Sequence, residues 1–244
     1  MRSISVLFVL AALAGCGAPS GQSMIGEGSS LRVADAAMTS GSPEVALQVL
    51  GGILKSDPRN TDALLRQAKA QLMMGNSNAA GISYRKALAV DPKLTEARFG
   101  LGKVAMRTNP AEAERTFLDL LAAQPKNAQL LNNLGVARDL QGHHAEAQKA
   151  YQAALDASPG MASAQQNMAL SLAVSGRAPE GVVMLNRLAE SGEGGRKVRD
   201  NLGLALAIAG NTAEAGQVLS EGMSQADVAR AIAAYRTLGT PGAE

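Results

Sequence analysis

The sequence has 244 residues, with 23 Lys plus Arg against 21 Asp plus Glu, a formal net charge of +2, and 46% hydrophobic but only 2% aromatic residues. That length can bury one or two cores, while the balanced charge gives no basic footprint for nucleic acid and three Tyr, three Phe and no Trp offer bases little to stack on. A single cysteine excludes an intramolecular disulfide and any multi-cysteine metal site, and two adjacent histidines cannot complete a His-rich zinc site, so no metal or other cofactor is expected.

At the N-terminus, Arg2 precedes an apolar run from Ile4 to Ala14 broken only by Ser5. The run is too short to span a bilayer and has the length of a secretory h-region. It ends in Leu13-Ala14-Gly15-Cys16, which resembles the lipobox of bacterial lipoproteins. The resemblance implies that residues 1–15 are a signal peptide and that Cys16 is acylated and becomes the mature N-terminus. Two or three acyl chains suffice for stable anchoring, since each buried CH₂ contributes about 0.8 kcal/mol. In such lipoproteins Asp after the cysteine tends to retain the protein at the inner membrane, so Gly17 implies a lipid-anchored protein on the periplasmic face of the outer membrane. Residues 16–29 are read as a flexible tether, since the stretch from Gly17 to Ser30 is rich in Gly and Ser, with isolated polar residues and no periodicity.

From there on the chain repeats itself. Small residues recur at Ala34, Ala68, Gly102, Gly135, Ala169 and Gly203, with gaps of 34, 34, 33, 34 and 34. Turn residues Gly41, Gly75, Asn109, Gly142, Gly176 and Gly210 keep the same series, and Pro58, Pro92, Pro125 and Pro159 follow in step. A register shared by three residue classes marks a repeat architecture. Within one period, Leu130, Leu131, Leu134, Val136, Ala137 and Leu140 keep helical spacing up to Gly142, a left-handed C-terminal cap. A second helix starts near His144, with Ala147, Ala150, Tyr151, Ala154 and Leu155 as its apolar stripe, and Pro159 prevents its continuation. Ser42-Pro43-Glu44 and Asn109-Pro110-Ala111-Glu112 place a capping side chain before a first-turn Pro and an early Glu. No segment alternates like a strand, so the fold class is all-α.

This pattern resembles the tetratricopeptide repeat (TPR). Ala80/Tyr84, Ala113/Phe117 and Ala147/Tyr151 match its pairing of Ala with an aromatic four residues later, and Leu131-Asn132-Asn133-Leu134-Gly135 matches its first-helix signature. Ala46/Leu50, Gly181/Leu185 and Ala215/Leu219 are weaker versions. The first-helix aromatics are replaced by Leu64, Arg98, Leu131, Gln165 and Arg199, so Leu, Met and Ala must make up for the missing rings. The resemblance implies a TPR solenoid over residues 30–238, with about six repeats near 27–60, 61–94, 95–127, 128–161, 162–195 and 196–224. The residue missing from the third period is placed in the turn after Asn109. Gln225 to Leu238, with Val228, Ala231, Ile232 and Tyr235 on one face, reads as a capping helix, and 239–244 as a disordered tail.

Three spacings imitate catalytic motifs. Gly100-Leu101-Gly102-Lys103-Val104-Ala105 fits a dinucleotide fingerprint but lies inside a predicted helix, without the preceding strand that makes its glycines a phosphate turn. Ser83-Tyr84-Arg85-Lys86 fits S-x-x-K without its companion motifs. His143 and His144 are read as solvated turn residues with no carboxylate nearby. An enzyme is therefore not expected. A stacked array instead offers the face lined by its first helices. Asn133, Asn167 and Asn201 recur there, and side-chain amides, each donor and acceptor, could clamp an extended peptide backbone or simply be solvated. Lys69, Lys103, Leu65, Phe99, Val136, Leu170 and Leu204 are placed on the same face, cations towards one end and aliphatics towards the other.

Six repeats behind a lipobox, closed by Lys197-Val198-Arg199-Asp200-Asn201-Leu202-Gly203-Leu204-Ala205-Leu206 and by Ala234-Tyr235-Arg236-Thr237-Leu238, resemble the TadD family, TPR lipoproteins of tight-adherence (Flp) pilus assembly. The resemblance implies a non-enzymatic adaptor with protein partners, acting like a pilotin for the pilus secretin. A general envelope scaffold, for outer-membrane protein insertion or polysaccharide export, is the alternative.

Overall fold

The computed structural model describes residues 27–192 and 195–238, and every regular element among them is helical. Cys16, the expected signal peptide at 1–15, most of the tether at 16–29 and the tail at 239–244 lie outside these residues. The helices pair as hairpins: α1 (Glu27–Thr39) with α2 (Pro43–Ser56), α3 (Thr61–Met73) with α4 (Ser77–Val90), α5 (Thr95–Ala105) with α6 (Pro110–Ala123), and α7 (Ala128–Asp139) with α8 (His144–Ala157). Next come α9 (Ala162–Leu172) and α10 (Ala178–Glu190), joined through a wide turn at Ala173–Arg177, then α11 (Gly195–Ile208) and α12 (Thr212–Ser220). Helix α13 (Gln225–Leu238) closes the stack, packing on α11 and α12 with Val228 buried and Ile232 and Tyr235 partly so, as a capping helix should.

Local chemistry explains the boundaries. The turn glycines at 41, 75, 142, 176 and 210 all have positive φ, and four of these turns carry the 6→1 bond of a left-handed cap: Ser42 N to Ala37 O, Asn76 N to Gln71 O, His143 N to Arg138 O and Asn211 N to Leu206 O, at 2.8 to 3.0 Å. Asparagine does most of the N-capping. The side chains of Asn60, Asn76, Asn109 and Asn127 each accept from a backbone N–H of the first turn, whereas Ser42 occupies its N-cap without such a bond.

The third repeat departs from the expected register. Asn109 caps α6 as Asn76, 33 residues earlier, caps α4, so the missing residue lies before Asn109 and not after it. The chain has dropped the position of the left-handed glycine. Helix α5 is cut to 11 residues, and Asn109 N bonds directly to Ala105 O at 2.7 Å.

Four clusters of buried side chains follow one another along the stack, and Leu50, Tyr84, Phe117 and Leu185 of the repeating signature are inside them. Tyr84, Phe117 and Tyr151 are buried, as are their weaker counterparts Leu50, Leu185 and Leu219. The small first-helix residues are seats for these side chains. A Cβ on Gly135 would stand 2.4 Å from the Tyr151 ring, one on Gly203 2.5 Å from Leu219, and one on Gly102 2.8 Å from Phe117. The fingerprint-like Gly100 is likewise a seat, with the Tyr84 ring 2.2 Å from where its Cβ would be.

The missing first-helix rings are only partly made up. Leu64 is buried, but where the residue is polar a cleft remains: about 380 Å³ beside Arg98, 620 Å³ beside Gln165 and 310 Å³ beside Arg199. Arg98 and Gln165 fold back onto the carbonyls of Pro92 and Pro159, closing the preceding turn instead of filling the interior.

Burial, with the charge of Glu96 added, pushes the Tyr84 phenol from its ordinary 10 up to about 12. The fold holds the neutral ring, so its contribution to stability is complete below pH 10 and is lost as the pH rises towards 12, where the unfolded chain ionises first. The urea midpoint should fall across that window. Tyr84→Phe should show a shallower fall; equal slopes would assign the alkaline loss to other groups.

Candidate partner-binding face

Each hairpin packs on the next, and the first helices also touch one another, α1 with α3, α3 with α5, α7 with α9, α9 with α11 and α11 with α13. The second helices are not joined to one another to the same degree. The first helices therefore crowd along one side of the stack and form its inner face.

The sequence-predicted residues are distributed unevenly on that face. Val136, Leu170 and Leu204 are half-buried at equivalent positions of α7, α9 and α11, an aliphatic row outside the core clusters. Lys69 and Lys103 are exposed, but Lys69 Nζ is paired with Glu96 of the next repeat at 2.5 Å, so half the expected cationic end is compensated. Lys103 Nζ lies 5.9 Å from the centre of the Phe99 ring. Phe99 is half-buried and tilted against Phe117, with ring centres 5.9 Å apart. Leu65 is the exception. It is 5% exposed and belongs to the core between α3, α4 and α5, because its position in the α3 stripe turns towards the following hairpin; it offers no surface for contact.

The asparagines are not three copies of one device. Asn167 Nδ2 donates to Asn132 Oδ1 at 2.9 Å and Asn201 Nδ2 to Gln166 Oε1 at 3.3 Å, so both amides stitch their repeat to the preceding one. Asn133 turns its Nδ2 to the Gln129 carbonyl of its own helix at 2.7 Å. Asn132 and Gln166, the nearly buried acceptors, were missed in the sequence, although polar pairs one repeat plus one residue apart are visible in it.

Of the two histidines, His143 is exposed at the start of α8, as expected of a turn residue. His144 is not a free turn residue: its Nδ1 lies 2.8 Å from Asp139 Oδ1 across the α7–α8 turn. Asp139 also accepts from Tyr151 Oη at 2.7 Å and from Ser171 Oγ, in the next repeat, at 2.8 Å. Burial, reinforced by this carboxylate, drives the Tyr151 phenol far above its ordinary range. Serine, carboxylate and imidazole are thus together, but the carboxylate stands in the middle. A nucleophilic relay needs the imidazole between the other two, so this order makes a clamp between repeats and not a general-base system. The S-x-x-K serine is spent too: Ser83 Oγ is buried 2.9 Å from the Gln67 and Gln71 side-chain oxygens, while Lys86 is exposed. Among the described residues no three His, Cys, Asp or Glu side chains are grouped to hold a metal ion.

A stack of helical hairpins with an open inner face defines the class of helical-repeat scaffolds. The tetratricopeptide-repeat family profile matches residues 31–94 and 107–162, stopping on either side of α5. A 73-residue stretch, 30% of this chain, is 36% identical to the FK506-binding protein-like protein of Homo sapiens, and spans 21% of that protein. A 75-residue stretch is 34% identical to the type IV pilus assembly protein PilF of Pseudomonas aeruginosa, covering 30% of each chain. The solved PilF structure superposes with a TM-score of 0.64 at 20% identity over 84% of this chain and 96% of that one. A tetratricopeptide-repeat protein from Parabacteroides merdae reaches 0.75 at 14% identity, over 89% and 87%. The chain is a tetratricopeptide-repeat protein with similarity to PilF.

Proposed function

We propose that this chain is a non-enzymatic adaptor of pilus assembly, held by lipid on Cys16 at the periplasmic face of the outer membrane and gripping a polypeptide partner along its inner face. The similarity to PilF carries the pilus assignment. The C-terminal signature narrows it to the tight-adherence (Flp) pilus, with the secretin as partner in a pilotin-like role. The lipobox supports the anchor. Tethering confines partner and scaffold to one surface, so a modest affinity for a peptide segment is enough.

A second reading is a general envelope scaffold: the human relative matches 73 residues at 36% identity against 75 residues at 34% for PilF, so the matched repeats are not specific to pilus proteins. Gene deletion separates the two, since loss of surface pili is expected only from the first. A photoreactive residue in place of Leu170, which is half-buried on the inner face, should crosslink to the secretin or another pilus component in membranes. Recovery of cell-wall enzymes alone would overturn the pilus reading. Cys16→Ala should abolish incorporation of an alkyne-labelled fatty acid and release the protein from the membrane fraction. Unchanged labelling would remove Cys16 as the anchor.

A further inference from the structure

Four of the seams between consecutive first helices carry a side-chain bridge. Asp35 pairs with Arg66 between α1 and α3, Lys69 with Glu96 between α3 and α5, Asn132 with Asn167 between α7 and α9, and Gln166 with Asn201 between α9 and α11. Among the described residues none joins α5 to α7, and these two helices barely touch. The sequence supplies the reason. At the position where α7 and α9 offer the amide oxygens of Asn132 and Gln166, the shortened α5 has Phe99, which has no acceptor. Asn133 therefore bonds within its own helix, and the seam stays open.

The opening is a cavity of about 250 Å³ with Phe99 and Leu130 as its apolar walls and Glu96, Gln124, Asn127 and Gln129 at its rim. That is smaller than the roughly 300–1,000 Å³ of small-molecule pockets and suits a single large side chain. Glu96, the one charged residue lining the cavity, is paired with Lys69, whereas Lys103, whose Nζ lies 5.9 Å from the centre of the lining Phe99 ring, has no carboxylate partner among the described residues and leaves uncompensated positive charge beside the opening.

We propose that the α5–α7 seam is a socket for one large apolar side chain, Leu, Met or Phe, flanked in its own chain by Asp or Glu, and that it sets the register of the polypeptide bound along the inner face. This rests on the reading of that face as a polypeptide groove. The probe is an array of peptides in a Gly-Ser-Asn host, each with one central pair, Leu-Glu, Phe-Glu, Ala-Glu or Leu-Lys, presented to the purified full-length chain. Leu-Glu and Phe-Glu should bind at least about tenfold more tightly than Ala-Glu and Leu-Lys. Gln129→Trp, which fills the socket from its exposed rim, should erase the apolar preference with an unchanged melting curve, and Lys103→Glu should shift the preference to Leu-Lys.

Peptides that bind both wild type and Gln129→Trp with the same preference would overturn the socket and leave the groove standing. No binding above the host peptide, together with no crosslink from position 170, would overturn both. Self-association of the chain that Gln129→Trp abolishes would put a second copy in the socket and overturn the peptide assignment.

Discussion

Asp139→Ala is expected to destabilise the fourth and fifth repeats by about 3 kcal/mol, since it strands two buried hydroxyls at roughly 1–3 kcal/mol each. Tyr151, 1% exposed, and Ser171, 2% exposed, both donate to this carboxylate, and neither can turn to water when it is removed. His144 is more accessible and can be resolvated, so its share is smaller. The clamp makes a second, sharper demand. Tyr151→Phe removes the stranded donor, so in the Asp139→Ala background it should cost far less than it does alone, a coupling of about 1–2 kcal/mol in a double-mutant cycle. Additive losses in chemical denaturation would show that Tyr151 does not donate to Asp139 in solution.

Gly181→Ala should lower stability by about 2 kcal/mol, the balance of about 3 kcal/mol of overpacking and the roughly 1 kcal/mol that alanine gains over glycine in a helix. A Cβ on Gly181 would stand 2.4 Å from the carbonyl oxygen of Ala169. A side chain in that place could rotate away. A backbone oxygen inside α9 cannot, so α9 and α10 must part. Gly51 and Gly52 in α2 are the controls, because a Cβ there meets nothing within 4 Å and alanine should stabilise by several tenths of a kcal/mol or more. Thermal melts of Gly181→Ala and Gly51→Ala should therefore move in opposite directions. A shift of the same sign would mean that helix propensity, not the α9–α10 approach, governs both sites.

The cadence of the hairpins was legible because a repeat is closed by contacts within itself and with its neighbours. Glycine at the turns, proline after the second helix and a small residue opposite a ring are local requirements, so each recurs with the period and can be counted. The same reasoning misplaced the deletion around Asn109 by a few residues. A lost residue is recorded in the sequence only as a shorter interval, while the hydrogen bond from Asn109 to Ala105 shows which turn position was given up. Leu65 misled for a related reason: its neighbours in α3 are apolar on two sides, and which side faces the next hairpin depends on how the hairpins are rotated together.

The polar chemistry of the inner face required the fold. Whether an asparagine is free for a ligand depends on what the preceding repeat places beside it. Asn167 and Asn201 meet an amide, while Asn133 sits on the one seam where the opposing position is Phe99. His144 was read as free because Asp139 is five residues away in the chain, yet the turn between them brings the two within 2.8 Å. Periodicity is a property of neighbours along the chain and survives in one dimension. Hydrogen bonding and cavity formation depend on distances of a few ångströms between groups some 32 to 35 residues apart, and only the packed hairpins set those distances.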